Sequence, residues 1–142
     1  MTPSRDPGAG RAGWEIGADE LRAAFALPGR DRYALLLQLV CDWEEAWGLR
    51  DADGWVLAKD AARGDAFPLW PHPDFAQACA RGPWQDAAPE AVPLAELLDD
   101  LLPLLAEDGL RVAAFPVPDG EAWHVPPDEL GRDLEAELEL GE

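Results

Sequence analysis

The sequence predicts an α+β domain: helices packed on an antiparallel sheet of about four to five strands, a hairpin plus a third strand and then a second hairpin. Three observations predict it. Strand-like and helix-like runs are segregated rather than alternating in βαβ units. An Asp-rich, Gly-ended loop, Arg50-Asp51-Ala52-Asp53-Gly54, separates two aromatic-aliphatic runs. Several segments carry leucines at helical spacing.

Met1 to Gly13 is rich in Pro, Gly and Arg and reads as a flexible leader ahead of a single domain over 14–142. Asp19 to Leu27 reads as a short helix closed by Pro28-Gly29. A second helix runs from Asp31 to Asp42. Its positions Tyr33, Leu36, Leu37 and Val40 keep the helical period, and Leu35 and Leu39 widen the stripe. Ala46–Leu49 and Trp55–Ala58 form the first hairpin. Ala66 to Trp70 supplies a third strand, and Pro68, which cannot donate to a ladder, suggests an edge or a strand end.

Pro73 to Ala80 reads as a helix with proline in its first turn, and Gly82-Pro83 breaks it. The next helix starts at Pro93 with Leu94, Leu97, Leu98, Leu101 and Leu105 as its apolar face. Pro103 forces a kink or restart inside it. Gly109 suits the position after a helix end. Leu110–Phe115 and Ala122–Val125 read as the second hairpin. Pro126-Pro127 opens a last, acidic helix with Leu130, Leu134 and Leu138 four apart.

Charge narrows the function classes. The 142 residues hold 29 acidic and 11 basic side chains, for a net charge of −18. That balance opposes nucleic-acid binding, which needs a basic face, and opposes anionic membrane surfaces. It suits a protein partner with a basic surface. No apolar run is long enough for a membrane span, and the first residues lack the apolar core of a secretory signal. Two cysteines without a bridge framework fit a reducing compartment, so a cytoplasmic location is expected.

The chemistry-bearing residues are sparse. Thr2 and Ser4 are the only serine or threonine, both in the leader, so the domain body has no hydroxyl for a Ser-His-Asp triad or a P-loop. Cys41, His72, Cys79 and His124 are not at metal-ligand spacing, and no metal or cofactor is expected. Cys41 lies on an apolar helix face. Cys79 sits at a helix C-terminus, whose partial negative charge opposes a thiolate. The acidic pairs Glu44-Glu45, Asp99-Asp100 and Glu107-Asp108 read as solvated surface.

Seven tryptophans are the unusual feature. Trp47, Trp55 and Trp123 fall on strands and read as packing. Trp70 and Trp84 flank a short helix in proline-rich loops. There they read first as a lid packed over a satellite core, and otherwise as exposed anchors; with His72 they form the candidate partner-binding patch, since tryptophan and histidine each join apolar area to one polar contact. The expected function is a non-enzymatic protein-binding module. An immunity-type inhibitor of a basic toxin or nuclease is the alternative, and a small hydrolase the third.

Three segments carry a resemblance: Glu45-Ala46-Trp47-Gly48-Leu49 with Gly54-Trp55; Pro68-Leu69-Trp70-Pro71-His72-Pro73 running to Ala78-Cys79; and Pro103 to Phe115 followed by Pro127-Asp128-Glu129-Leu130. In order and spacing they resemble the bacterial domain-of-unknown-function family 2750, from about Arg32 to Leu134. This chain departs from the family pattern at Leu97 and Leu101, where that pattern has aromatics. The resemblance implies a small bacterial α+β domain and brings no activity, cofactor or catalytic residue.

Overall fold

The computed structural model describes residues 15–60, 62–119 and 121–141; the leader expected over 1–13, and Trp14, lie outside them. Helix α1 (Ala18–Ala26) begins behind Gly17, whose N–H donates to Glu20 Oε1 at 3.3 Å. Pro28 precedes α2 (Gly29–Trp43), and Glu44, at φ 60°, turns the chain out of α2 into β1 (Glu45–Asp51). A tight hairpin links β1 to β2 (Gly54–Trp55), with Arg50 opposite Trp55 and Gly54 at φ 118°. A positive φ there is costly for any side chain but glycine's.

Strand β3 (Ala66–Leu69) leads to α3 (Pro73–Ala78) and a single 3₁₀ turn (Gly82–Trp84). Strand β4 (Ala88–Pro93) runs antiparallel to β1 along almost its whole length. Helix α4 spans 94–107 in three pieces: α-helical Leu94–Glu96, a π-helical turn Leu97–Leu101 and α-helical Leu102–Glu107. Pro103 explains the break expected from sequence. It has no N–H to give the preceding turn. The Leu102 N–H reaches back to Leu97 O, and this wider turn carries the helix past the proline without ending it. Gly109, at φ 73°, then closes the helix. Strands β5 (Arg111–Ala114) and β6 (Trp123–Val125) pair antiparallel, and α5 (Pro127–Leu140) ends the described chain.

The α+β class stands, but the single antiparallel sheet does not. The described strands form two sheets of three, ordered β2-β1-β4 and β3-β5-β6. β3 is at a sheet edge, consistent with Pro68, yet its ladder is parallel, to β5, and it meets the first hairpin only through isolated antiparallel bridges. The residues between β3 and β5 are long enough for the crossover that parallel pairing demands. Two isolated bridges stitch the sheets together: Trp47 exchanges both backbone hydrogen bonds with Trp70, each 2.8 Å, and Ala58 pairs with Ala66. β4 is a strand the sequence did not suggest.

The core lies between the sheets and α2, α3 and α5. Leu36 and Val40 of α2, Leu130 and Leu134 of α5, and Val112, Ala114 and Val125 of the second sheet are all buried. Phe25, Phe75 and Phe115 meet edge to face, with the last two centroids 4.7 Å apart. Gly48 in β1 is fixed by packing: a Cβ there would fall 2.9 Å from Trp55 Cζ3. The Trp55 ring has little room to yield, because Phe67 (centroids 5.4 Å) and the Arg50 guanidinium (5.2 Å) lie against it. Gly48→Ala is therefore expected to lower stability by about 1–3 kcal/mol through overpacking, read as a lower urea midpoint at unchanged slope.

Candidate functional site

The stretch Trp70-Pro71-His72-Pro73 is a corner that turns β3 into α3. Trp70 is 0% exposed, and its indole Nε1–H donates to Pro116 O at 2.9 Å. His72 is 2% exposed and is the N-cap of α3, its Nδ1 accepting from the Asp74 N–H at 3.0 Å. An Nδ1 that accepts must be unprotonated, so the neutral ring carries its proton on Nε2. Pro73 then occupies the first helical turn, where its missing N–H costs nothing. These residues build the floor of the candidate patch rather than its surface.

Trp84 is different. The 3₁₀ turn Gly82–Trp84, opened by Gly82 at φ 57°, brings its ring edge-on to Trp70 with centroids 6.3 Å apart and leaves it half-buried. Its outer side walls a cleft of about 350 Å³ lined by Leu57, Cys79, Pro83 and Val117, with Lys59, Arg81 and Asp119 as its charged lining residues. Of the three candidate residues, then, Trp84 alone contributes to a concave surface; Trp70 backs it edge-on, while His72 packs against Phe75 and caps α3. Lys59 also pairs with Asp65 at 2.9 Å. No carboxylate of the described residues pairs with Arg81.

Cys79 lies in the cleft wall, but its thiol donates to Pro116 O at 3.4 Å and burial pushes its pKa up to about 12. Burial likewise raises Cys41 to about 11, helped by Glu137 and Asp42. Both sulfurs stay protonated near neutral pH and are poor nucleophiles.

A second hollow, of about 80 Å³, adjoins the first and shares Ala58, Lys59 and Trp84 with it. Ala113 and Ala122 leave its space open, and His124 lines it. Ala113 is the register partner of His124, so Arg111, two residues before Ala113, projects from the same sheet face. Arg111 Nε and Nη2 and His124 Nδ1 are buried and have no hydrogen-bond partner among the described residues. Desolvation, followed by the charges of Arg63 and Arg111, holds His124 below the ordinary histidine pKa. The 56–65 loop, β5, β6 and the Trp84 turn thus gather Lys59, Arg63, Arg81 and Arg111, four of the eleven basic residues of the chain.

The other sequence candidates are not drawn together. Asp99, Asp100, Glu107 and Asp108 are all exposed along α4. Among the described residues, no group of three or more His, Cys, Asp or Glu is placed to hold a metal ion. Trp55 packs as expected, but Trp123 is 37% exposed and stacks on Tyr33 (6.3 Å) at the surface instead of entering the core. No helix of the described residues is long and apolar enough to cross a membrane. The hollow beside Trp84 could not be found from motif spacing, because its residues come from four separate segments. The one signal available was the Trp84 turn itself.

Fold and site together define a small α+β domain of two stitched three-stranded sheets with a tryptophan-walled cleft. The chain belongs to a family described as "Protein of unknown function (DUF2750)", whose model matches residues 33–134. No curated protein and no solved structure matches it.

Proposed function

We propose that this protein is a non-enzymatic binding module that takes a segment of a protein partner into the cleft beside Trp84. The observation that carries the reading is the half-buried Trp84, set over an apolar cleft with Lys59 and Arg81 beside it in an otherwise acidic chain. A large, rigid ring with its back supported by Trp70 gives contact area at little entropic cost, which is how tryptophan becomes a binding hot spot. The two cations favour a segment that joins an apolar side chain to a carboxylate. Two reduced cysteines suit the reducing cytoplasm, where such a partner would be met.

The test is fluorescence polarisation with short labelled peptides, apolar-acidic against apolar-basic. The apolar-acidic set is expected to bind, and Trp84→Ala to weaken it by about tenfold or more with an unchanged melting curve. Equal binding by Trp84→Ala would remove the cleft from the reading. Selective binding of the basic peptides would favour the second reading, an immunity-type inhibitor of a basic toxin or nuclease. That reading is supported by the exposed carboxylates of α4 and α5, and it requires association rates that fall steeply with salt.

A further inference from the structure

We infer that the small hollow behind Trp84 is an oxyanion site, in which His124 and Lys59 of the lining, with Arg111 and Arg63 close beside them, receive a phosphate or carboxylate group of the bound partner. For its biological occupant the inference rests on the binding-module reading, but the site itself stands on separate observations. The first is an anomaly of pairing. The chain has 29 acidic residues, yet among the described residues Arg111 pairs with no carboxylate, and its Nε and Nη2 are buried without an acceptor. A buried donor left unmade is costly, and more so when it is charged, so such an arrangement asks for an explanation. An arriving oxyanion supplies the missing acceptors, and guanidinium is the side chain best shaped to hold one.

The second observation is the company Arg111 keeps. His124 Nδ1 is also buried and unpartnered on the same sheet face. Lys59 lies in the lining of the hollow, and Arg63 is near enough for its charge to act on His124. Asp60 also lines the hollow, and Asp65 lies beside it, but both carboxylates are engaged. Asp60 is occupied by the backbone N–H groups of Ala62 and Arg63, at 2.9 and 3.1 Å, and by the Arg63 side chain at 3.6 Å. Asp65 holds Lys59. The third observation is space: alanines at 58, 113 and 122 surround the hollow where longer side chains would fill it.

The charged groups acting on His124 are Arg63 and Asp60 from the loop and Arg111 from β5, with Lys59 beside it in the same hollow. In the free protein burial, followed by the charges of Arg63 and Arg111, disfavours the imidazolium. A bound anion reverses the balance and favours the imidazolium, so binding tightens as pH falls through the histidine range.

Nuclear magnetic resonance titration of the two histidines tests this directly. Sulfate is the probe, because it carries two charges and does not itself titrate near neutral pH. Saturating sulfate is expected to raise the His124 midpoint by about one unit and to leave His72 unmoved. Arg111→Gln should abolish the shift. Arg63→Gln, at an exposed position, should weaken sulfate severalfold without touching the fold. Phenyl phosphate against benzoate then identifies which oxyanion the site prefers. A His124 midpoint that none of these anions moves would overturn the proposal, as would equal shifts at both histidines that persist in Arg111→Gln. Arg81→Glu separates the two readings, because Arg81 is exposed and lines the cleft but not the hollow: it should weaken capture of apolar-acidic peptides in the cleft and leave the sulfate response at His124 intact.

Discussion

Replacing Trp70 with alanine is expected to lower the unfolding free energy by about 3–5 kcal/mol, the largest effect of any single change considered. The indole is wholly enclosed, bridges the two sheets through its backbone, backs Trp84 and donates to Pro116 O. Truncation removes the apolar area and leaves a cavity at the junction that the rigid proline-rich corner cannot close. It also leaves Pro116 O with only the weak Cys79 thiol donor. Trp70→Phe keeps most of the volume and loses the hydrogen bond, so a loss nearer 1–2 kcal/mol is expected. Urea denaturation followed by circular dichroism reads both; near-equal midpoints for the two variants would show that the ring's bulk adds nothing.

Arg32→Ala is expected to cost about 3 kcal/mol. Arg32 is 3% exposed, and it donates from Nε to Phe115 O at 3.0 Å and from Nη1 to Leu27 O at 2.7 Å. One side chain thereby satisfies the end of α1 and the end of β5. Phe115 sits at φ 50°, an unusual conformation for a bulky residue that neighbouring interactions must hold in place. Without Arg32 two carbonyls lose their donor, each worth about 1–3 kcal/mol when buried. Arg32→Met separates packing from hydrogen bonding, since it fills similar space and donates nothing. Denaturation midpoints of Arg32→Met close to wild type would refute the clamp.

The local elements were legible where the chain carries local instructions. The Asp-rich turn with Gly54 announced the first hairpin, Pro73 announced the start of α3, and the leucines of α2 and α5 announced which faces are buried. β4 carried no such instruction: Ala-Pro-Glu-Ala-Val-Pro contains two prolines and one β-branched residue, and it is a strand because β1 offers it an edge. The parallel pairing of β3 with β5 was illegible for the same reason, since a strand's pattern does not name its partner. Trp70 and Trp84 sit in similar sequence surroundings, and only the packing of the corner against Pro116 buries one and leaves the other half-open. The basic patch was hidden by the net charge of −18, which averages over four cations that are remote in sequence.

The parallel ladder between Ala66–Leu69 and Arg111–Ala114 has a consequence for biosynthesis. The earlier strand leaves the ribosome well before its mate has been translated, and until then only two isolated bridges can occupy it. Its residues Ala66, Phe67 and Leu69 are buried in the finished protein, so the nascent chain displays an apolar ribbon during that interval. A ribosome that stalls before residue 111 would release a polypeptide suited to chaperones or to aggregation, whatever the finished protein goes on to bind.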